Sequence, residues 1–258
     1  MSPPRPPLRL TTDDAVGSPA LDTAISRVLL ERVDRGELPA TLRLSRPPRV
    51  LAFSSRDART PGFDAAVAAA EAVGFTPILR LAGGRPAVFT ESTLAFAWSV
   101  PAEEPMTGIA ERFRTLSGCL TDAFTALGID ARVGEVAGEY CPGEYSVNVA
   151  GRTKVAGVGQ RLLRRAAHTG GVVVVADAAL INRALTPVYA AMGLPLDPTA
   201  TGELAAHAEL DLESVRTAIV TAVAARFEVE PWSLDERTLD LANRSAEDHL
   251  VRPRHRAG

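Results

Sequence analysis

Cys141-Pro-Gly-Glu-Tyr-Ser-Val-Asn-Val-Ala-Gly-Arg-Thr-Lys-Val-Ala-Gly-Val-Gly-Gln-Arg161 is the stretch on which the reading of this chain turns. Tyr145 to Ala150 alternates in the period of a half-buried strand, Ala150-Gly151-Arg152 supplies a turn, and Thr153 to Gly159 returns as a second strand. Lys154 is the chain's one lysine, against twenty-seven arginines. Nearly every basic position therefore accepts a guanidinium, and the exception points to a site needing a compact charge on a flexible stem rather than a planar fork. Gly151, Gly157 and Gly159 permit tight turning and close approach of backbone N–H groups to a ligand. The bland alternative is a surface lysine on an ordinary hairpin.

Strand and helix patterns alternate along the rest of the chain. Ser18-Pro19 reads as a cap and first-turn proline for a helix whose apolar face is Leu21, Ile25, Val28, Leu29 and Val33, with Gly36 as its stop. Thr41–Ser45 and 49–54 read as strands, 63–73 as a helix, 76–81, 87–89 and 94–100 as strands, and Ile109 to Leu127 as a long helix closed by Gly128. Val172–Ala176 is a core strand after a basic connection that carries His168, read as a solvated turn. Asp177 and Asp211 cap two further helices, and Ser233 with Glu236 suggests a capping box for a last one ending near His249. The stretch 194–202 reads as a hinge.

The expected organisation is a flexible tail over 1–17, a catalytic domain over 18–198, a C-terminal helical extension over 199–250 and a tail over 251–258. A chain of 258 residues can bury one enzyme-sized core. Its net charge of −3 gives no footprint for nucleic acid, and no apolar run approaches membrane-spanning length. The opening Met1-Ser-Pro-Pro-Arg-Pro-Pro has no apolar signal core, which with the free thiols makes the cytoplasm the expected compartment. Cys119 and Cys141 offer neither a disulfide framework nor metal spacing, so no metal is expected. Cys119 lies inside a helix pattern and reads as a small buried apolar residue. Cys141, between Tyr140 and Pro142-Gly143, reads as a loop thiol, which becomes a nucleophile when nearby positive charge favours the thiolate. Lys154 is the candidate source of that charge. Glu139 and Glu144 flank the thiol and either tune the pocket or solvate its rim.

The stretch 141–161 resembles the biotin/lipoate protein ligase superfamily, in its lipoate-protein ligase and octanoyltransferase branch. Leu79-Arg-Leu-Ala-Gly-Gly-Arg-Pro-Ala-Val-Phe89 is similar to the family's substrate loop, and Pro39-Ala-Thr-Leu-Arg-Leu-Ser45 to an early strand; the resemblance extends over about residues 20–240. The loop departs from the family pattern where Leu79 precedes Arg80, where Arg85 follows Gly84, and at Thr90, where histidine is common. The resemblance implies an α+β fold of the class II aminoacyl-tRNA synthetase and biotin ligase kind, with a mixed β-sheet core flanked by helices and a small C-terminal helical appendage.

It also implies chemistry. In the branch that moves octanoyl groups through an acyl-enzyme, the nucleophilic cysteine stands where Cys141 stands. The implied reaction is octanoyl or lipoyl transfer from an acyl donor carrier protein to a lysine of a lipoyl-carrier domain or glycine cleavage H protein, without a cofactor. Lys154, with backbone N–H groups around Ala156 and Gly157, then faces the developing oxyanion, and Arg80, Gly83 and Gly84 bind the substrate. An eight-carbon chain burying roughly six methylenes at about 0.8 kcal/mol each gains roughly 5 kcal/mol before losses of chain freedom. Arg161, Arg164 and Arg165 are candidates for docking an acidic carrier. Two alternatives stay open: a lipoate-protein ligase using ATP and magnesium, with Cys141 a bystander, and a noncatalytic binder of lipoyl carriers.

Overall fold

The computed structural model describes residues 4–14 and 17–251. In chain order the elements are β1 (Pro7–Thr11), α1 (Leu21–Asp34), β2 (Thr41–Ser45), β3 (Val50–Phe53), α2 (Phe63–Ala72), β4 (Thr76–Leu79), β5 (Ala87–Phe89) and β6 (Thr93–Pro101). There follow α3 (Ile109–Ala126), β7 (Ala131–Val133), β8 (Val147–Val149), β9 (Thr153–Leu162), β10 (Ala166–Val174), α4 (Ala178–Ala191), α5 (Leu212–Arg226), β11 (Glu228–Pro231) and α6 (Glu236–Ser245). They form an eight-stranded mixed sheet in the order β11-β1-β2-β6-β10-β9-β8-β7 and a three-stranded sheet in the order β4-β3-β5. The fold is α+β, as expected.

Period-2 alternation divides the large sheet into two unlike faces. Leu42 and Leu44 of β2, Leu94, Phe96 and Trp98 of β6 and Val173 of β10 enter the main core beneath α3 and α5, with Leu120, Phe124, Val215, Ile219 and Val223 opposite. The intervening residues, Arg43, Ser45, Ala95, Ala97, Ser99, His168 and Gly170, belong to the other face. Toward that face the small sheet presents Val50, Ala52 and Ile78, while its reverse side packs Leu51, Phe53 and Val88 on α2 and α4. The space between the sheets becomes a groove because, Arg43 and His168 apart, these residues of the large sheet's inner face are small.

Four expectations change. Part of the supposed tail is β1, which pairs in parallel with both β2 and β11; Leu8 and Leu10 bury there, so tertiary pairing orders a segment whose prolines suggested none. Residues 199–250 are no helical appendage: α5 packs on α3, α6 packs on α1, and β11 forms the edge of the large sheet. The hinge at 194–202 is pinned, Asp197 N donating to Gly138 O at 2.8 Å and Gly202 N to Lys154 O at 2.8 Å. The last helix is capped by Asp235, whose carboxylate accepts from Thr238 N, and not by Ser233. Of the expected final tail, Val251 N donates to Pro77 O, and 252–258 lie outside the described residues. No helix among the described residues is long and apolar enough to cross a membrane.

Candidate active site at Cys141

The loop from Gly134 to Ser146 carries the thiol, and one carboxylate shapes it. Glu139 is 2% exposed. Its Oε2 accepts from Val136 N at 3.0 Å, and its Oε1 accepts from Gly143 N at 3.0 Å, Ser146 Oγ at 2.6 Å and Lys154 Nζ at 3.1 Å. The chain turns so tightly about it that Cys141 adopts φ +43°, a left-handed conformation an L residue holds only where surroundings over-determine it. Part of that determination comes from α4: Tyr189 Oη accepts from Cys141 N at 2.7 Å and donates to Pro86 O at 2.9 Å, joining the cysteine loop to the glycine loop.

Lys154 reaches the site because β9 is bulged. Asn148 pairs with Lys154 but Val147 pairs with Ala156, so Val155 is an extra residue and the side-chain alternation shifts by one. Val155 and Ala156 both enter the main core, while Lys154 and Gly157 share the groove face; a β-carbon at Gly157 would lie 3.2 Å from Lys154 Cε. All three ammonium protons are engaged, with Glu139 Oε1, Tyr140 O at 2.9 Å and Cys141 O at 2.8 Å, and the ammonium lies 4.7 Å from the centre of the Tyr140 ring. Burial pushes the Lys154 pKa down, against the opposing pull of Cys141 and Glu139.

The glycine loop faces the sulfur from the opposite side. Cys141 Sγ accepts from the Arg85 backbone N–H at 3.2 Å and from Arg80 Nη2 at 3.4 Å, and the same Nη2 donates to Arg85 O at 2.7 Å. Gly84 has φ +102°, and a β-carbon there would stand 2.7 Å from both Cys141 Sγ and Arg80 Nη2. Asp57, wholly buried, fixes this loop by accepting from Ser54 N and Oγ, each at 2.9 Å, and from Arg85 Nη1 at 3.3 Å. Burial raises the thiol pKa of Cys141, but the charges of Arg80 and Lys154 and the two hydrogen bonds outweigh it, leaving the pKa below the ordinary thiol value. Positive charge and hydrogen bonds of this kind are what favour the thiolate form of a cysteine.

A small cavity at the thiol is lined by Cys141, Lys154, Gly157, Gly159 and Gly170. It shares Arg80, Phe89, Gly170 and Gly171 with the larger groove between the sheets, which holds about 670 Å³ of space between atoms, its open mouth included. Ala95, Ala97 and Gly170 line that groove, and an ion pair at 2.7 Å between buried Arg43 and half-buried Asp22 lies along it. The arrangement sets a thiol of lowered pKa beside a mostly apolar groove.

The structure thus brings Cys141, Lys154, Arg80, Gly84 and Gly157 together. Gly83 is beside them, though a β-carbon there would meet nothing within 4 Å, so its expected close packing is not dictated by protein atoms. Ala156 is turned into the opposite core. Arg161, Arg164 and Arg165 are exposed around the β9–β10 hairpin with no ion-pair partner among the described residues. His168, expected on a solvated turn, is 5% exposed within β10 because the hairpin turn falls earlier, at 163–165. Glu139 is an organising anion, not a rim residue. Asp57 and Tyr189 had no signal in the sequence; Arg85 had its neighbourhood in the glycine loop. Among the described residues no group of three or more His, Cys, Asp or Glu is placed to hold a metal ion.

Comparison with known proteins places these observations. A family model described as the lipoyl protein ligase A/B catalytic domain matches residues 18–223. An octanoyl-[GcvH]:protein N-octanoyltransferase of Geobacillus kaustophilus is 26% identical over 151 residues, 58% of this chain and 51% of that protein. A lipoyl-[GcvH]:protein N-lipoyltransferase of Listeria monocytogenes is 25% identical over 152 residues, 59% of this chain and 53% of that protein. The chain spans about half the length of these curated relatives. Among solved structures, a lipoate-protein ligase A bound with ATP superposes with a TM-score of 0.76 at 17% identity, covering 93% of this chain and 94% of that one. A bi-partite lipoate protein ligase from Thermoplasma acidophilum gives 0.71 at 15% identity, covering 95% and 92%.

Proposed function

The chain belongs to the lipoyl protein ligase A/B catalytic domain family, and from that membership we propose that it transfers octanoyl or lipoyl groups to a lysine of a lipoyl-carrier domain through a thioester on Cys141. The observation carrying this reading is the sulfur itself, which accepts from Arg85 N and Arg80 Nη2 at 3.2 and 3.4 Å at the mouth of the groove. A spectator thiol needs no such setting.

In the first step the Cys141 thiolate attacks the carbonyl carbon of the carrier-bound acyl group. The carbonyl electrons form an oxyanion, which collapses with loss of the donor's thiolate or amine; the departing group takes up a proton. In the second step the unprotonated ε-amine of the acceptor lysine attacks the thioester. Cys141 leaves as thiolate, and the nitrogen loses its extra proton to solvent. Arg80, whose Nε is buried without a partner among the described residues, and Lys154 place positive charge where the oxyanion develops. The unpartnered Arg80 Nε–H is the donor open to the oxyanion, a contribution typically worth about 3 kcal/mol, while Lys154, its protons committed, acts through its charge alone. Glu139 opposes the burial that lowers the Lys154 pKa and holds the ammonium group in place.

The relatives' names suggest the donor: an octanoyl or lipoyl group held on GcvH, the glycine cleavage H protein, and passed to another protein. The exposed Arg161, Arg164 and Arg165 are suited to receive an acidic carrier. The reaction runs without ATP or magnesium, in the reducing cytoplasm where a free thiol persists.

Intact-protein mass spectrometry tests this. Incubation with octanoyl carrier protein should add one octanoyl group that is lost in Cys141→Ala. An acyl-adenylate formed from octanoate and magnesium ATP equally well by both proteins, with no covalent adduct, overturns the thioester reading in favour of a ligase.

A further inference from the structure

Lys154 is 1% exposed, and a buried ammonium stays charged only where its surroundings replace water. Its one anionic partner is a single carboxylate oxygen, Glu139 Oε1, which also accepts from Gly143 N and Ser146 Oγ. Two further contacts are to neutral carbonyls, Tyr140 O at 2.9 Å and Cys141 O at 2.8 Å. The remaining neighbour is the Tyr140 ring, with Nζ over its face 4.7 Å from the centre. Tyr140 is itself 1% exposed and belongs to the core that Leu51, Phe53, Ile181 and Tyr189 build, so packing fixes the ring before any substrate arrives. Its hydroxyl, by contrast, is buried without a hydrogen-bond partner among the described residues. What this side chain offers the site is its aromatic face.

An aromatic face attracts a cation through the ring quadrupole, and more strongly once both are desolvated. The attraction acts on the ammonium and hardly at all on the neutral amine. We propose that Tyr140 is a positioning residue whose ring face, and not whose hydroxyl, holds the ammonium group of Lys154 beside Cys141 and favours its charged form. Burial and the nearby Arg80 push the Lys154 pKa down, while Cys141 and Glu139 pull the other way. The charged and titratable groups around the pair are Glu139 on the cysteine loop, Arg80 and the Asp57-paired Arg85 on the glycine loop, and Tyr189 on α4. A change confined to the Tyr140 ring leaves all of them in place. The Lys154 charge in turn lowers the Cys141 thiol pKa, so the ring acts on the sulfur through the lysine. Its part in catalysis rests on the acyl-transfer reading, but its effect on the thiol needs no acyl donor.

Tyr140→Phe and the replacement of Tyr140 by monofluoro- and trifluorophenylalanine in the full chain test it, because fluorine drains the quadrupole of a ring while changing its shape little. The readout is the pH profile of Cys141 alkylation by iodoacetamide, followed by mass spectrometry. Tyr140→Phe should react within about twofold of the original rate at pH 7 and melt no lower, since it loses only an unpaired hydroxyl. The trifluorinated ring should move half-maximal alkylation to higher pH and slow the reaction at pH 7 roughly three- to tenfold relative to Tyr140→Phe, with the monofluorinated ring between them and circular dichroism unchanged. Equal profiles for the phenylalanine and trifluorophenylalanine proteins make the ring a packing element and overturn the proposal. Loss of reactivity in Tyr140→Phe assigns the role to the hydroxyl and overturns it equally. A fluorine-dependent profile in a protein on which acyl carriers leave no adduct retains the positioning role and removes the transfer reading. Adducts forming alongside equal profiles do the reverse.

Discussion

A β-carbon at Gly84 would stand 2.7 Å from the sulfur of Cys141, closer than real β-carbons come to any heavy atom. The two residues are 57 positions apart, and the sulfur's access to the Arg85 N–H depends on that missing methyl group. Gly84→Ala meets both the contact and the strain of φ +102°, which costs on the order of 1–3 kcal/mol. The expected result is at least a tenfold slower alkylation of Cys141 by iodoacetamide with a modestly lowered melting temperature. Alkylation at the unmodified rate excludes the steric account.

Cys141 should react at a pH where an ordinary thiol is silent. Its folded pKa lies below the unfolded one, so the thiolate's contribution to stability is fully present above the unfolded value and fades as pH falls through the folded value. Arg80→Met removes a hydrogen bond and the larger of the two charges that oppose burial, and should move half-maximal alkylation to higher pH. At pH 7 the rate should fall roughly tenfold, the factor that belongs to one pH unit. A pH–rate profile measured by mass spectrometry decides it.

Glu139 and Lys154 pair at 3.1 Å with side chains 0% and 1% exposed. Removing one partner strands the other, at about 3–5 kcal/mol, so Glu139→Gln should lower the melting temperature by roughly 10 °C and abolish acylation. Lys154→Arg should fail as well: a planar fork cannot direct three donors to Glu139, Tyr140 O and Cys141 O from beside Gly157. Calorimetry with the adduct assay separates stability from chemistry.

Away from the site, Arg32 Nη1 bonds both carboxylate oxygens of Asp235 at 2.7 and 2.8 Å, tying α1 to the cap of α6. Burial raises the Asp235 pKa, but Arg32 and the two bonds from Thr238 prevail and bring it to about 2. Its contribution is therefore present above the unfolded carboxylate range and lost as pH falls toward 2. The carboxylate is 40% exposed, so screening limits the effect to about 1 kcal/mol or less. Asp235→Asn should be less stable than the unmodified chain at pH 7 and match it near pH 2 in urea titrations.

Much of this architecture was legible because periodicity and burial agree. The 145–159 hairpin, the long helix ending at Gly128 and the helix begun at Asp211 appear where alternation and caps put them. β1 and β11 were not legible: Pro7-Leu-Arg-Leu-Thr11 and Glu228-Val-Glu-Pro231 are short and carry proline; β11 is a strand because β1, 221 residues away, completes it, and β1 is itself held between β11 and β2. Cys141, Lys154 and the glycine loop declared themselves by residue type. Glu139 did not, since nothing local says that its carboxylate is closed off by a lysine 15 residues later. His168 was misread because arginines nearby suggested solvent, whereas the register of β10 against β6 decides which face it enters.

The seclusion of Lys154 has an effect outside the catalytic pocket. Under the proposed acyl transfer, any lysine on the enzyme's own surface would compete with the carrier as an acceptor. Here the only one in the sequence is sealed inside, its protons all committed. The chain has no accessible lysine to label itself with, and any acyl-lysine found after reaction belongs to the carrier.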